Sequence, residues 1–472
     1  MQDIRRTSPD GDVPPHCNPV TRSDSPKPPS VSRVRFLSEL TRLRTLESFQ
    51  HRDFGVLWVA IFCMSITGWI INIVTGWLTY ELTSSPLLTG LAIGMGAVPP
   101  VVIAPIAGVL IDSLDRKKVM VAAMASYAVF IAAFGLIVIF GVLQPWHIFA
   151  VSFLMGVSGS FLRPAEQAVL ANIVPKKRLV NAFALVAFAG SITRLIAPAV
   201  TGFLIAFIGP GVSIMLACAF VLAGIKLTLL VRVPERESHQ LRPKTVLSDL
   251  QEAGRYVKGS HIVLAMMVLT TAMLTFVSTI NMGLMPVFAS EVFDAGPQIL
   301  GLLVAALGGG MTIGTIAIAT VGDLRRRTRI VLITGAITAL GVIAFSHSGT
   351  LLLAFPIIML YGATMVMTWT VAGALIQSVV PDALRGRVSA LSVMTVAFFP
   401  LGTFFVGGLA QFFGAPMAAL ISGSTILMVI IAIPFMFRGL WSYRAGDSLE
   451  ADEEAADDNS LDTPDKLEPQ PA

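Results

Sequence analysis

At 472 residues the chain is long enough for two or three soluble domains, yet 54% of it is hydrophobic, only 13% is charged, and its mean hydropathy is +0.77. Soluble proteins carry about 25% charged residues, so a water-soluble globule is excluded and most of the apolar surface must face lipid. The net charge of +4 hides an asymmetry: residues 51–446 hold 24 Lys/Arg against 13 Asp/Glu, whereas residues 447–472 hold one against ten.

Residues 1–50 are rich in Ser, Pro and Arg and show no apolar segment of the signal-peptide kind, which predicts a disordered cytoplasmic extension. Apolar runs of about 20 residues then mark spanning helices. Twelve are predicted: Phe54 to Tyr80, Leu87 to Ile111, Val119 to Val142, His147 to Val174, Val180 to Ile208, Val212 to Val231, Ile262 to Ala289, Ile299 to Val321, Ile330 to Ser346, Leu351 to Val380, Val388 to Phe413 and Ala415 to Phe437. The fold class is therefore an all-α membrane protein. The one long internal connection divides it into a six-helix bundle over 51–233, a cytoplasmic linker over 234–260 and a second bundle over 261–440. Within the linker, Ser248 to Lys258 has the pattern of a short amphipathic surface helix or a simple tether. Residues 441–472 read as an acidic, solvated cytoplasmic tail.

The connections sort by charge. DSLDRKK from Asp112, PKKR from Pro175, the stretch from Arg232 to His261, GDLRRRTR from Gly322 and PDALRGR from Pro381 alternate with ELTSSP, GVLQPW, GPG, EVFDAGPQ, SHSGT and GAP, none of which contains Lys or Arg. Of the 24 basic residues, 21 fall on one side and three, Arg163, Arg194 and Lys226, lie inside helices. The positive-inside rule puts that side and both termini in the cytoplasm. It also accounts for the basic composition without a nucleic-acid partner. Membrane lipids and a small-molecule substrate are the expected partners.

The halves repeat one another. GVLIDSLDRKKV after the second span finds IATVGDLRRRTRI after the eighth, matching Asp112 to Asp323 and Arg116 to Arg327; Pro175 finds Pro381, and Gly202 finds Gly408. Two parallel six-helix repeats are one architecture of secondary transporters, with the substrate site between them near mid-membrane.

The strings RDFGVLW, WLTYELTSSPLLTGL, PIAGVLIDSLDRKKV, FLRPAEQAVLANIVPKKRLVNAFAL, SITRLIAPAVTGFL, VPDALRGRVSAL and PLGTFFVGGLAQFFG, in this order over about residues 50 to 440, resemble the major facilitator superfamily. Within it they are similar to the multidrug and siderophore exporter branch of enterobactin-exporter-like and macrolide-efflux-like proteins. The resemblance implies two rocking bundles, export of a small drug-like or siderophore-like amphiphile, coupling to proton entry, a bacterial inner membrane and a monomer. Uptake or facilitated diffusion of a small metabolite is the alternative within the class. A lipid-moving protein or non-transporting receptor is the alternative outside it. The fifth span departs from the superfamily's glycine-proline signature, with Ala197-Pro198 and Thr201-Gly202 in its place. The acid that drug antiporters often carry in the first or seventh span is also missing, where Thr67-Gly68-Trp69-Ile70-Ile71-Asn72 stands.

Several residues are candidates for mechanism. Gly108 permits close backbone approach, and Asp112 four residues on is placed to face the positive end of the eleventh helix near Arg385 and Arg387. Asp323 stands similarly toward the fifth helix near Lys177 and Arg178. With Arg116 and Arg327 these form a predicted cytoplasmic gate, or else charges that only set topology. Arg163 and Glu166, three apart in the fourth helix, can pair, and Arg194 in the fifth competes for the same carboxylate. Glu166 is the only acid well inside a predicted helix, which makes it the candidate proton carrier with Arg163 and Arg194 as its neighbours. Trp69, Asn72, Ser278, Asn281, Tyr361, Thr364, Thr368, Trp369 and Gln377 are the expected cavity lining, Tyr361, Thr364 and Thr368 falling on one helical stripe. Cys17, Cys63 and Cys218 and six histidines give no disulfide or metal spacing, and neither a Walker nor a dinucleotide loop follows a strand, so no cofactor and no enzyme activity are expected.

Overall fold

A computed structural model describes residues 48–233, 246–321 and 327–436. The predicted N-terminal extension, part of the linker, the Asp323 turn and the acidic tail lie outside these residues. Among the described residues twelve helices are long and apolar enough to cross a membrane. In the N-terminal half they are α1 (Arg52–Thr83), α2 (Pro86–Ser113), α3 (Arg116–Ile139), α4 (Pro145–Ile173), α5 (Leu179–Ile208) and α6 (Pro210–Leu230). A surface helix, α7 (Val246–Gly259), leads into the C-terminal half. That half comprises α8 (His261–Val292), α9 (Pro297–Val321), α10 (Arg327–Ser346), α11 (Leu351–Val379), α12 (Asp382–Phe413) and α13 (Ala415–Met436).

Local chemistry sets the helix ends. Ser85 Oγ accepts from the Leu88 amide at 3.2 Å and Pro86 occupies the first turn, so α2 starts where its missing N–H costs nothing. Asp115 caps α3 by accepting from the amides of Lys117 and Lys118 at 3.0 and 3.2 Å. Gly209 and Gly414 both hold φ +83°, a region closed to most side chains, and each turns the chain sharply into the next helix.

Two spans depart from regular α geometry, each near a proline. In α8, π-helical turns at Ile280–Leu284 and Phe288–Val292 flank Pro286. In α12 the helix begins at Asp382, earlier than hydropathy predicts, because Pro381 starts a helix through the charged segment; a 3-10 turn at Thr395–Ala397 precedes Pro400, which lacks an N–H. The linker helix docks through Tyr256, whose hydroxyl donates to the Val379 carbonyl at 3.2 Å, and through buried Ala253 and Val257.

Two seams join the halves, and glycine makes both. Along α5 and α9, a Cβ on Gly202 would collide with the Pro297 carbonyl oxygen and one on Gly301 with that of Pro198. Along α2 and α12, a Cβ on Gly407 would lie 3.1 Å from the Pro86 carbonyl oxygen, and one on Gly90 would lie 2.6 Å from that of Thr403. Gly202 precedes Gly209 by seven residues, as Gly407 precedes Gly414. The structural partner of Gly202 is thus Gly407 rather than Gly408, one residue from the sequence match.

Candidate functional site

A polar opening with a volume of about 430 Å³ lies inside the N-terminal half. Asn72 and Thr75 of α1, Tyr127 of α3, and Ser160 and Arg163 of α4 supply its polar groups, while Ile71, Ile93 and Met155 supply apolar wall. Small residues create the space. A Cβ on Gly156 would collide with the Gly96 carbonyl, so α4 and α2 touch backbone to backbone; Gly68 and Gly159 line the opening and would meet nothing within 4 Å.

The Arg163 side chain is exposed into this cavity, whereas Glu166, three residues on, is buried at 8% exposure. The expected pair is not formed: among the described residues no carboxylate lies within 4 Å of Arg163, and Glu166 has no hydrogen bond. Residues three apart on a helix are offset by about 60° around its axis, enough to turn one into the cavity and the other into the packing. Arg194 does not reach Glu166 either. Its guanidinium approaches Met311 Sδ of α9 at 3.8 Å, on the seam.

Of the predicted cavity lining, the structure brings Asn72 beside Arg163, and Asn72 also approaches Met282 Sδ of α8 at 4.0 Å. Trp69 is half-buried against the core. The C-terminal candidates are placed differently. Tyr361 is fully buried and donates to Asn281 Oδ1 at 2.8 Å, and Asn281 Nδ2 turns to Met365 Sδ at 3.7 Å. Thr364 and Thr368 bond Thr338 and Thr334 of α10, each at 2.8 Å. The Tyr361, Thr364 and Thr368 stripe therefore faces neighbouring helices, because a hydroxyl inside a span gains more from a partner across a helix interface than from an apolar wall. Gln377 donates to Ser389 Oγ of α12 at 2.7 Å, Ser278 is half-buried, and Trp369 is exposed.

At the basic ends, the charges serve the local structure. Arg116 donates to Asn172 Oδ1 at 3.1 Å, tying α3 to the end of α4. Lys117 Nζ donates to the carbonyls of Leu229 and Val231, both at 2.8 Å, and so satisfies the end of α6. Partial burial pushes the Asp115 carboxyl up, but the Lys118 amide and ammonium and the Lys117 amide outweigh that and hold it below the usual carboxylate range. Arg385 pairs with Asp382 at 2.7 Å and Arg387 with Glu252 of α7 at 2.5 Å. Arg327 opens α10 and is half-buried. Gly108 and Asp112 stand in the last turns of α2, with the Asp112 side chain outside what is described, and Asp323 lies outside the described residues.

Sequence reasoning missed three participants. Tyr127 carries one of the cavity's polar groups from the apolar middle of α3, well past the basic cluster at its start. Toward the charge-poor end, Tyr80 of α1 donates to Glu291 of α8, and Ser85 of α2 donates to Gln411 of α12 at 2.6 Å, two bonds that cross between the halves. The loops that carry these residues were legible, but no spacing pairs one half's turn with the other's.

Twelve spans in two six-helix halves, joined by seams that repeat and flanking a polar cavity, agree with a family model described as a transmembrane secretion effector, which matches residues 44–457. The chain belongs to that family of the major facilitator superfamily. Macrolide efflux protein A of Streptococcus pyogenes is 25% identical over 392 residues, covering 81% of this chain and 95% of the relative. The enterobactin exporter EntS of Citrobacter koseri is 25% identical over 431 residues, covering 88% and 97%. Among solved structures, a bacterial homolog of the human lysosomal transporter Spinster, inward-facing and unoccupied, superposes with a TM-score of 0.66 at 14% identity, covering 83% of this chain and 97% of that one. The facilitator fold and a multi-pass membrane protein follow, and the family and its relatives are transporters, not enzymes.

Proposed function

We propose that this facilitator exports a small amphiphile, drug-like or siderophore-like, from the cytoplasm by alternating access coupled to proton entry, as a monomer in a bacterial inner membrane. The observation that carries the reading is a hydrated-size cavity with polar and charged lining inside a bundle of lipid-facing spans. A purely structural bundle has no use for Arg163 there, since a charge in a span costs at least about 2.5 to 3.5 kcal/mol. The efflux names of the relatives support the outward direction.

In this reading both termini and the basic loops lie in the cytoplasm. The glycine seams and the Tyr80–Glu291 and Ser85–Gln411 bonds, all toward the charge-poor side or midspan, belong to a state closed to the outside. In the opposite state, Asp112 engages Arg385 and Arg387, and Asp323 engages Lys177 and Arg178; these cations exchange their present partners as the cytoplasmic side shuts. Glu166 is the proton carrier. It is buried, lacks a hydrogen bond and sits within electrostatic reach of Arg163, a neighbour whose own occupancy changes during the cycle.

Proteoliposomes with a trapped pH dye test the reading. Wild type is expected to move protons when an amphiphile such as pyrenebutyrate is added, and Glu166→Gln is expected to abolish that movement while inserting normally. A wild type that moves compound without moving protons rejects coupling. Inward accumulation in intact cells, in place of reduced accumulation, favours the uptake alternative.

A further inference from the structure

The N-terminal cavity holds a cation, Arg163, that makes no ion pair within 4 Å among the described residues. Arg163 presents its guanidinium to the opening, and among the described residues it has neither an ion pair nor a hydrogen bond. Five N–H donors in a planar fork need acceptors, and the geometry of that fork matches a carboxylate or a similar flat acidic group through two parallel bonds. Glu166, the one acid nearby, is withdrawn into the helix packing. Other polar groups stand around the same opening. Tyr127 contributes a hydroxyl within electrostatic reach of Arg163, and Asn72 contributes an amide from α1. Ile71, Ile93 and Met155 add apolar lining to the same opening.

We propose that Arg163 anchors an acidic oxygen group of the transported compound, so that the N-terminal half recognises an amphiphilic anion with its charged end on α4 and its apolar body against α1 and α2. The inference rests on the transport reading for the words "transported compound", and on the cavity alone for the anion. A fixed positive charge in a confined, low-dielectric opening attracts an anion and repels an amphiphilic cation of the same shape. The charged residues described in the C-terminal spans lie at the span ends, and the midspan polar groups there are already bonded to one another. Selectivity for the acidic group therefore resides in one residue.

Binding of two fluorescent probes to the full-length protein in nanodiscs of zwitterionic lipid tests this. 1-Pyrenebutyrate and 1-pyrenebutanol share an apolar body and differ in the carboxylate. Wild type is expected to bind the acid about tenfold more tightly than the alcohol, the scale of one charge-assisted pair. Arg163→Gln is expected to bring both probes to the same affinity, and Arg163→Lys to restore part of the preference, which guards against a variant that merely misfolds. Lys226→Gln, which removes a cation near the basic end of α6, is expected to keep the preference. Equal affinities in wild type, a preference that survives Arg163→Gln, or one that Lys226→Gln also abolishes overturns the proposal. A preference without flux of either probe in proteoliposomes sinks the transport reading and leaves the anchor standing.

Discussion

The two halves share a scaffold and differ in what they do with polar side chains. Each begins its seam with a glycine seven residues before a glycine turn, Gly202 and Gly209 in one half, Gly407 and Gly414 in the other. In the N-terminal half Ser126 of α3 and Ser158 of α4 bond each other at 2.8 Å, but Asn72, Thr75, Tyr127, Ser160 and Arg163 open onto a cavity, where the guanidinium has no ion pair or hydrogen bond among the described residues. In the C-terminal half the corresponding helices spend theirs on one another: Tyr361 on Asn281, Thr364 on Thr338, Thr368 on Thr334. A repeat thus preserves what packing requires at the shared seams, while the interior of each half is free to diverge, one lining a cavity and one bonding its polar groups across helix interfaces.

Substitutions at the seams, in the cavity, in the C-terminal interior and at the basic end break or sharpen that contrast. The seams are common to both halves but not equally tight: Gly202→Leu, whose Cβ would lie 2.4 Å from the Pro297 carbonyl oxygen, should bring proteoliposome flux to background, and Gly407→Leu, whose Cβ would lie 3.1 Å from that of Pro86, should lower it less. Gly408→Leu is the control, because a Cβ there meets only Leu87 Cδ1 at 4.0 Å, and it should retain most flux. Next in size, Gly159→Leu should fill the N-terminal cavity without a clash at its Cβ, reducing probe affinity more than tenfold at unchanged thermal stability.

Tyr361→Phe should do the reverse. It leaves Asn281 Oδ1 without its donor in the C-terminal half and should lower stability in detergent by about 1 kcal/mol, with probe affinity unchanged. Smallest is the cap at the basic end. The Asp115 carboxyl is held below its usual range, so its stabilisation is present at neutral pH and is lost as acidification protonates it; Asp115→Asn should flatten that part of the acid-unfolding profile. The group is nearly half exposed, so the effect should be slight.

The sequence alone determined the span count, the alternation of basic and charge-poor connections, the six-plus-six division and the family. These are one-dimensional quantities: a membrane reads hydropathy and charge along the chain, and no long-range contact alters either. The same sequence also marked Asn72 as a cavity candidate and Arg163 as a neighbour of the candidate proton carrier. Only the tertiary structure decided which polar residue faces what. Arg163 and Glu166 share a helix and differ by three positions, yet one enters the cavity and the other the packing, since 60° of rotation separates them. Tyr361, Thr364 and Thr368 lie on one stripe, but whether a stripe meets a cavity or another helix depends on which neighbour the fold brings alongside. In a span, where no water competes, a hydroxyl takes whatever partner the packing supplies, and that choice is not written in the spacing.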